Sequence, residues 1–564
     1  MKTRTVASII VLCLICGTII PITYAKSLTN ERRYFYGLVN EQAKYIASKF
    51  SYSRGALCDQ PSTSIISTMT NSLAAATLFT EYNMGGSENL GDIAHGIVKT
   101  SSEYFRLDFH ADRRGWVSSY DFTKEEESFV KSRKYTHDQF LMILGLANSY
   151  LNLNEEDKKT IGPDYLVDIT DTSGFIEEYF LIPNEGWIDS VFTYNETRYT
   201  QNRFRLVENI CWTIWASLNF PSDFGSPLTI EMITQMMDFL NANGTSNGAI
   251  YNVLSPDGSF TDHIFKLRTN TLYGIINLLL YEKANDLGIS ENSKRFLDRA
   301  EAIFNFLVAN LWDRGFKLFY DAVDENGLLL VRGKSLIGNA LACLLASRLC
   351  RYFPTNEAMK SIYILSDTFI DRYLKSSDEF KYFISCDRDG DPLSKPLTLD
   401  SNLIRLWQRS NTLHIVNGTY IDKVSIGEKI QIDLSLANPD NITYQILVTG
   451  DEIIPFNLTT SDSDLSVLIT LKNNARIGNT HININVKVLN KQIDKTNPLL
   501  LKIGSDRRLP QGLVYLVALG ILVCLVVLAR YPPKNIEDIL ARLASIGVSE
   551  EPSDSDEPVD ENTS

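Results

Sequence analysis

Ser293–Leu311 reads Ser-Lys-Arg-Phe-Leu-Asp-Arg-Ala-Glu-Ala-Ile-Phe-Asn-Phe-Leu-Val-Ala-Asn-Leu, and after a loop rich in Gly, Asp and aromatic residues Lys334–Ala342 reads Lys-Ser-Leu-Ile-Gly-Asn-Ala-Leu-Ala. The first stretch sets Phe296, Ala300, Ile303, Phe304 and Phe306 at helical spacing against Asp298, Arg299 and Glu301, which predicts a helix with one wet face. The second is small and apolar nearly all round, as a fully buried helix must be. Phe140–Ala147 has the same character.

This pairing recurs six times between Glu31 and Arg409. Half-wet helices are predicted at Glu31–Phe50, Leu90–Leu107, Tyr165–Leu181, Thr229–Asn241, Ser293–Leu311 and Asn356–Leu374. The buried helices begin near Ser62, Lys134, Arg203, Phe265, Lys334 and Leu399, so successive starts lie 72, 69, 62, 69 and 65 residues apart. Helix pairs at such a period signal a stacked or closed array. Six pairs closed into a double ring bury the inner helices against each other and leave the outer set to shield them. Long loops lead from outer to inner helices, so they gather on one face above the inner N-termini. Free N–H groups there suit anionic or hydroxyl-rich ligands.

At 564 residues the chain exceeds what one core usually supports, and 44% hydrophobic with 22% charged residues is a globular balance. The net charge of −14, with no basic stripe, excludes a nucleic-acid partner, which would need clustered Lys and Arg. Residues 1–25 read as a cleaved secretory signal: Lys2 and Arg4, an apolar run from Val6 to Ile20, then Thr23-Tyr24-Ala25. Residues 26–410 hold the helical array. Residues 411–505 change to a period of two, with Ile430, Ile432, Leu434 and Leu436, and then Ile482, Ile484, Val486 and Val488, alternating with polar residues. Some seven short strands there predict an immunoglobulin-like β-sandwich acting as a spacer. Residues 509–530 enclose the apolar run Leu513–Ala529, a transmembrane helix, and 531–564 are an acidic tail. The expected topology is a single-pass cell-surface protein with its N-terminal ectodomain outside and a short tail inside.

Five cysteines remain outside the signal and span, with no CxxC spacing, so no metal site is indicated. Cys58 and Cys386 both precede inner helices, and a bridge between them would close the ring. Sequons at Asn195, Asn243, Asn417, Asn441 and Asn457 are consistent with an exported glycoprotein. Asp387, Asp389 and Asp391 alternate as in a calcium loop, but Thr398 stands at the twelfth position and the stretch reads as a turn. No GxSxG, HExxH, Walker A or dinucleotide signature is present, and no cofactor is called for.

Trp312-Asp313-Arg314-Gly315-Phe316, Phe319-Tyr320-Asp321, Gly327 and the helix from Lys334, with His137-Asp138-Gln139 opening another inner helix, resemble the six-hairpin (α/α)6-barrel glycosidase-like superfamily. That superfamily includes glycoside hydrolases and N-acylglucosamine 2-epimerase-like proteins. The resemblance covers Glu31 to Arg409 and implies a mainly α fold, an (α/α)6 toroid acting on a carbohydrate or glycoconjugate. The mouth loops carry suitable groups: Trp116 and Asp121; Trp187, Asp189, Tyr194 and Arg205; and Trp312. Aromatic faces stack on sugar rings, carboxylates accept hydroxyl hydrogen bonds and Arg holds an acidic sugar's carboxylate. Two reciprocal pairs, His137-Asp138 and Asp262-His263, open inner helices two steps apart. Asp138 and Asp262 are the expected carboxylates of a glycoside hydrolase, one protonating the leaving oxygen and the other activating water or attacking. His137 and His263 would instead serve an epimerase as opposed bases. Epimerases of this superfamily also place a His on the last inner helix, and Leu399–Arg409 has none. Asp at a helix start is also a common N-cap, and a non-catalytic glycan-binding or adhesion module would use the same cleft.

Overall fold

The computed structural model describes residues 32–504 except 52–54, 62, 106–114, 122–132, 183–185, 195–197, 203, 226–227, 244–247, 256–258, 332, 377–379, 388, 390, 394–397 and 427. The expected signal peptide, transmembrane span and acidic tail lie outside the described residues. Among those described, no helix is long and apolar enough to cross a membrane. Arg32–Ile503 form one compact unit.

Six helical hairpins carry the architecture. Outer helices are α1 (Leu38–Phe50), α3 (Glu88–Phe105), α5 (Gly162–Tyr179), α7 (Ile230–Asn243), α9 (Lys294–Asn310) and α11 (Glu357–Tyr373). Inner helices are α2 (Thr68–Asn83), α4 (Thr136–Leu151), α6 (Val207–Leu218), α8 (Leu267–Glu282), α10 (Leu336–Tyr352) and α12 (Leu399–Ser410). Each inner helix packs against the next, and α12 packs against α2, so the ring is closed. The apolar all-round pattern explains this layering: from Leu336 to Leu345 every residue of α10 is buried.

Two devices repeat around the ring. The first backbone N–H of every inner helix donates to a loop carbonyl of the following repeat: Thr68 to Ser118, Thr136 to Asp189, Val207 to Asn252, Leu267 to Asp321, Leu336 to Ile384 and Leu399 to Asp59, all at 2.8–2.9 Å. The last bond joins the end of the array to its beginning. Secondly, the fourth residue of five inner helices is Asn or Gln and grips the loop of its own repeat. Asn71 accepts the Leu57 N–H and donates to the Leu57 carbonyl. Gln139 does the same with Trp116, Asn270 with Ile250 and Asn339 with Phe319, while Asn402 accepts the Tyr382 N–H. In α6 this position is Ile210.

The centre of the ring is filled in depth. Trp212 and Trp215 of α6 reach Trp407 of α12, three steps away, with ring centroids 5.5–5.7 Å apart. That aromatic plug makes the mouth a cup rather than a channel. Arg405, fully buried on α12, donates to Asp367 at 2.6 Å and Asp371 at 2.8 Å, and Arg409 to Asp371 at 2.7 Å, which ties the last inner helix to α11.

The strands form two main antiparallel sheets. β1 (Arg32–Tyr36), β2 (His414–Ile421), β4 (Lys429–Ala437) and β7 (Asp464–Thr470) lie in the order 1-2-4-7. β3 (Lys423–Ser425), β10 (Leu499–Gly504), β8 (Gly478–Val488), β5 (Tyr444–Gly450) and β6 (Phe456–Thr460) lie in the order 3-10-8-5-6, with β9 (Lys491–Lys495) beside β8. The residues expected to face inward, Ile430 to Leu436 and Ile482 to Val488 in alternation, are buried.

Two expectations are corrected. The first outer helix does not begin at Glu31: Arg32–Tyr36 is strand β1, paired with β2 in the register Arg32↔Ile421 to Tyr36↔Asn417. Arg-Arg-Tyr-Phe-Tyr favours a pleated ladder over a helix turn. Gly37 marks the change, since a Cβ there would stand 1.7 Å from the Ile415 carbonyl oxygen. Nor does a Cys58–Cys386 bridge close the ring. Both thiols are free and buried, and burial pushes each up to about 11; the Leu399 N–H bond to Asp59 closes it instead.

Candidate functional site

With the first residue of each inner helix pinned to the next loop, the second residue takes an equivalent place in all six repeats: Met69, His137, Glu208, Arg268, Ile337 and Asp400. Met69, Arg268 and Asp400 line one cleft of about 380 Å³, although α2 and α8 stand on opposite sides of the ring. The second positions therefore form a collar around the mouth, polar at four of its six places. Arg268 Nε meets Glu208 Oε1 at 2.5 Å, joining two neighbours in the collar.

His137 and Asp138 lie side by side at the start of α4, with Nε2 and Oδ1 3.4 Å apart and exposures of 6% and 1%. Burial, helped by the Arg268 charge, pushes the His137 imidazole down to about 3, so it is neutral at physiological pH. Burial, then the neighbouring Asp189 charge, holds the Asp138 carboxyl well above the carboxylate range. His137 Nδ1 and Asp138 Oδ2 have no hydrogen-bond partner among the described residues. The third helix position shows what is unusual about Asp138. Thr70 donates from that position to Asp59 (3.3 Å), Asn209 to Asp189 (2.7 Å) and Thr269 to Asn252 (2.8 Å), each closing onto its own loop. In α4 an acid replaces the donor.

Asp189 is pushed up to about 6 by burial, against the Asn209 hydrogen bond and the charges of Arg133 and Arg205. On the other side of the mouth, Asp59 and Asp400 line the cleft with Thr70, and Leu73, Leu403 and Ile404 supply its apolar part. Asp59 is also pushed up to about 6, first by burial and then by the Asp400 charge, against the Thr70 hydrogen bond. Asp400 Oδ1 accepts the Ser401 N–H at 2.7 Å.

Of the residues expected from sequence, His137, Asp138, Asp189 and Arg205 converge between α4 and α6. The other carboxylate of the expected pair, Asp262, accepts the N–H groups of Asn252 and Val253 at 3.1 and 3.3 Å, and the carboxyl that acts electrostatically on Asp138 is Asp189. His263 is exposed, has φ +48°, and pairs with Glu325 at 3.3 Å. Trp116 (0% exposed) and Trp187 (2%) lie in the core, without an open face for a sugar. Trp312 packs on Phe319 at 4.7 Å. Asp121 accepts from Ser64 at 2.6 Å where their two loops pair. Tyr194 ends the strand Ser190–Tyr194, and its side chain lies outside the described residues. Asp387 accepts the N–H groups of Asp389 and Asp391, the turn expected there. Among the described residues no three His, Cys, Asp or Glu side chains are gathered for a metal.

Asp59 escaped the sequence reading, although a signal for it exists. The carbonyls that receive the inner-helix N–H groups belong to Asp59, Ser118, Asp189, Asn252, Asp321 and Ile384, so Asp59 and Asp189 are repeat equivalents.

The sequence matches no protein-family model and no curated protein. In three dimensions it is similar to a D-mannose isomerase (TM-score 0.54, 11% identity, 66% of this chain and 96% of that one). It is equally similar to a sugar epimerase from a ruminal bacterium (0.54, 12%, 66% and 97%) and to cellobiose 2-epimerase from Bacillus thermoamylovorans (0.54, 11%, 66% and 98%). At this identity the likeness establishes the fold. The helical ring shares its six-hairpin (α/α)6 architecture with these solved structures.

Proposed function

We propose that the toroid is a glycan-active domain that hydrolyses a glycosidic bond with carboxyl groups at its mouth. One observation carries this reading: the collar holds His137, Glu208, Arg268 and Asp400 above a ring centre plugged by Trp212, Trp215 and Trp407. Hydroxyl-rich ligands need such a ring of donors and acceptors, and glycoside hydrolysis needs one protonated and one ionised carboxyl. His137 and Asp138 remain in this reading, His137 at the collar and the buried Asp138 behind it as a positioning group. Asp262 and His263 leave it, the first engaged in a turn and the second outside the collar.

The test uses the full-length chain, purified in mild detergent, on a glycan panel. Turnover or binding that is lost in Arg268→Ala supports the reading. Binding without turnover leaves an adhesion module, and neither binding nor turnover by the wild type refutes a glycan role. A second reading, an epimerase or isomerase, is favoured by the likeness in fold to a D-mannose isomerase and a sugar epimerase and by the neutral His137 imidazole. It predicts an altered sugar without added water, which product analysis separates from hydrolysis. The lack of His on α12 counts against it.

We also propose that this domain is held at a cell surface by the apolar run Leu513–Ala529, with the two sheets forming an immunoglobulin-like spacer behind it. Resistance to alkaline carbonate extraction, together with protease accessibility of the N-terminal portion on intact cells, tests the anchoring. Release by carbonate refutes it.

A further inference from the structure

We propose that Asp59 and Asp400 are the reacting carboxyl groups of the mouth, Asp59 donating a proton to the departing glycosidic oxygen and Asp400 removing one from the attacking water. The inference rests on the hydrolytic reading above and names the groups that perform it.

A catalytic carboxyl has to touch its substrate. Asp138 and Asp189 are buried, whereas Asp59 and Asp400 are partly open and border the same cleft. They reach it from opposite ends of the array: Asp59 from the first mouth loop, Asp400 from the second position of α12. The Leu399 N–H bond to the Asp59 carbonyl, 2.8 Å long, holds the two backbones together at the seam of the ring. Each carboxyl has one oxygen fixed from within its own repeat, by Thr70 Oγ1 and by the Ser401 N–H. Arg268, held by Glu208, borders the cleft from the opposite inner helix. His137 occupies the equivalent collar position on α4 but is buried and does not line this cleft. Burial, and then the charge of Asp400, keeps a proton on Asp59 up to about pH 6, which suits Asp59 to the acid's part.

In the reaction the Asp59 proton passes to the glycosidic oxygen as the bond from the anomeric carbon to that oxygen breaks, and the aglycone leaves as an alcohol. Water forms the new bond to the anomeric carbon and gives its proton to Asp400. Asp59 ends ionised and Asp400 protonated, and exchange with solvent restores both.

The experiment measures turnover of 2,4-dinitrophenyl and alkyl glycosides of the same sugar by the full-length chain. Asp59→Asn is expected to lower kcat/KM about 100-fold or more for the alkyl glycoside and under about 10-fold for the dinitrophenyl one, whose leaving group needs no proton. Asp400→Ala is expected to lose both activities and to recover dinitrophenyl turnover in azide. In the wild type alone, alkyl turnover should fall as pH rises through about 6 while dinitrophenyl turnover stays level, a readout that needs no variant to fold. Equal losses on both substrates, or a product of retained configuration, overturn the assignment. If both variants keep full activity while Arg268→Ala abolishes it, the inference falls and the hydrolytic reading stands. If the wild type turns over no glycoside, the inference and the hydrolytic reading both fall.

Discussion

Replacing Asn270 by Ala removes the grip of α8 on its mouth loop. The side chain accepts the Ile250 N–H at 2.8 Å and donates to the Ile250 carbonyl and the Lys266 carbonyl at 3.0 Å each. Asn270 and Ile250 are both fully buried, so water cannot replace the bonds to Ile250. A net hydrogen bond contributes about 1 kcal/mol, and a buried group left without a partner costs about 1–3 kcal/mol. The Lys266 carbonyl precedes the helix and keeps other routes to satisfaction, so the two orphaned groups of Ile250 dominate, giving a loss of about 2–4 kcal/mol. For a unit the size of Arg32–Ile503 the unfolding entropy is about 1 kcal/mol per degree, so the melting temperature should drop by about 3 °C. Urea unfolding followed by tryptophan fluorescence reads the same loss, because Trp212, Trp215 and Trp407 sit at the centre of the ring. Thr170→Ala is the control: its hydroxyl bonds the Leu166 carbonyl on an exposed helix face, and its loss should register below about 0.5 kcal/mol. Asn270→Ala within that same margin would refute the clamp as a stabilising device.

Asp440 is buried, bonded to Ser347, and pushed up to about 6 by burial, so its neutral form favours the fold. The sign follows: its contribution is complete below about pH 4 and is lost as pH rises through about 6, by up to about 3 kcal/mol. Asp440→Asn should flatten that part of the stability profile in melting experiments; an unchanged slope contradicts the assignment. Arg405→Met strands the Asp367 carboxylate, while Asp371 keeps Arg409, and should cost about 3–5 kcal/mol in urea unfolding, whereas near-neutral behaviour would show that the network holds nothing. The thiols of Cys58 and Cys386 should resist a disulfide-exchange reagent until the chain unfolds, and reductant should leave the melting temperature unchanged. A lower melting point in reductant would reinstate a bridge.

Much of the architecture is written in the periodicity. Helices such as Lys294–Asn310 and Leu336–Tyr352 declare themselves through one wet face or none, and burial is a property of single residues that a sequence carries openly. The errors fall where long-range pairing overrides local pattern. Arg32–Tyr36 lies beside a helical run, yet its ladder partner is nearly 400 residues away in β2. The starts expected at Ser62 and Arg203 fall several residues before α2 and α6, because Ile65–Ser67 and Arg205–Leu206 pair with the following loops before the helix begins. No local preference encodes such a pairing.

Those few residues matter most at the mouth. Whether a side chain belongs to the collar depends on its being the second residue of its helix, and the phase is set by a backbone bond to the next repeat. A shift of one residue would exchange Asp400 for Ser401 or Leu399 and His137 for Asp138. From sequence, the pairs His137-Asp138 and Asp262-His263 both read as the openings of inner helices. In phase they differ by five or more residues: His137 is second in α4, while His263 lies four residues before α8 begins. Arg268 is the true counterpart of His137, and it pairs with the next collar residue, Glu208, instead of with a neighbour in sequence. The collar is therefore built one residue per repeat, which is why a cluster along the chain, such as His137-Asp138, supplies at most one of its members.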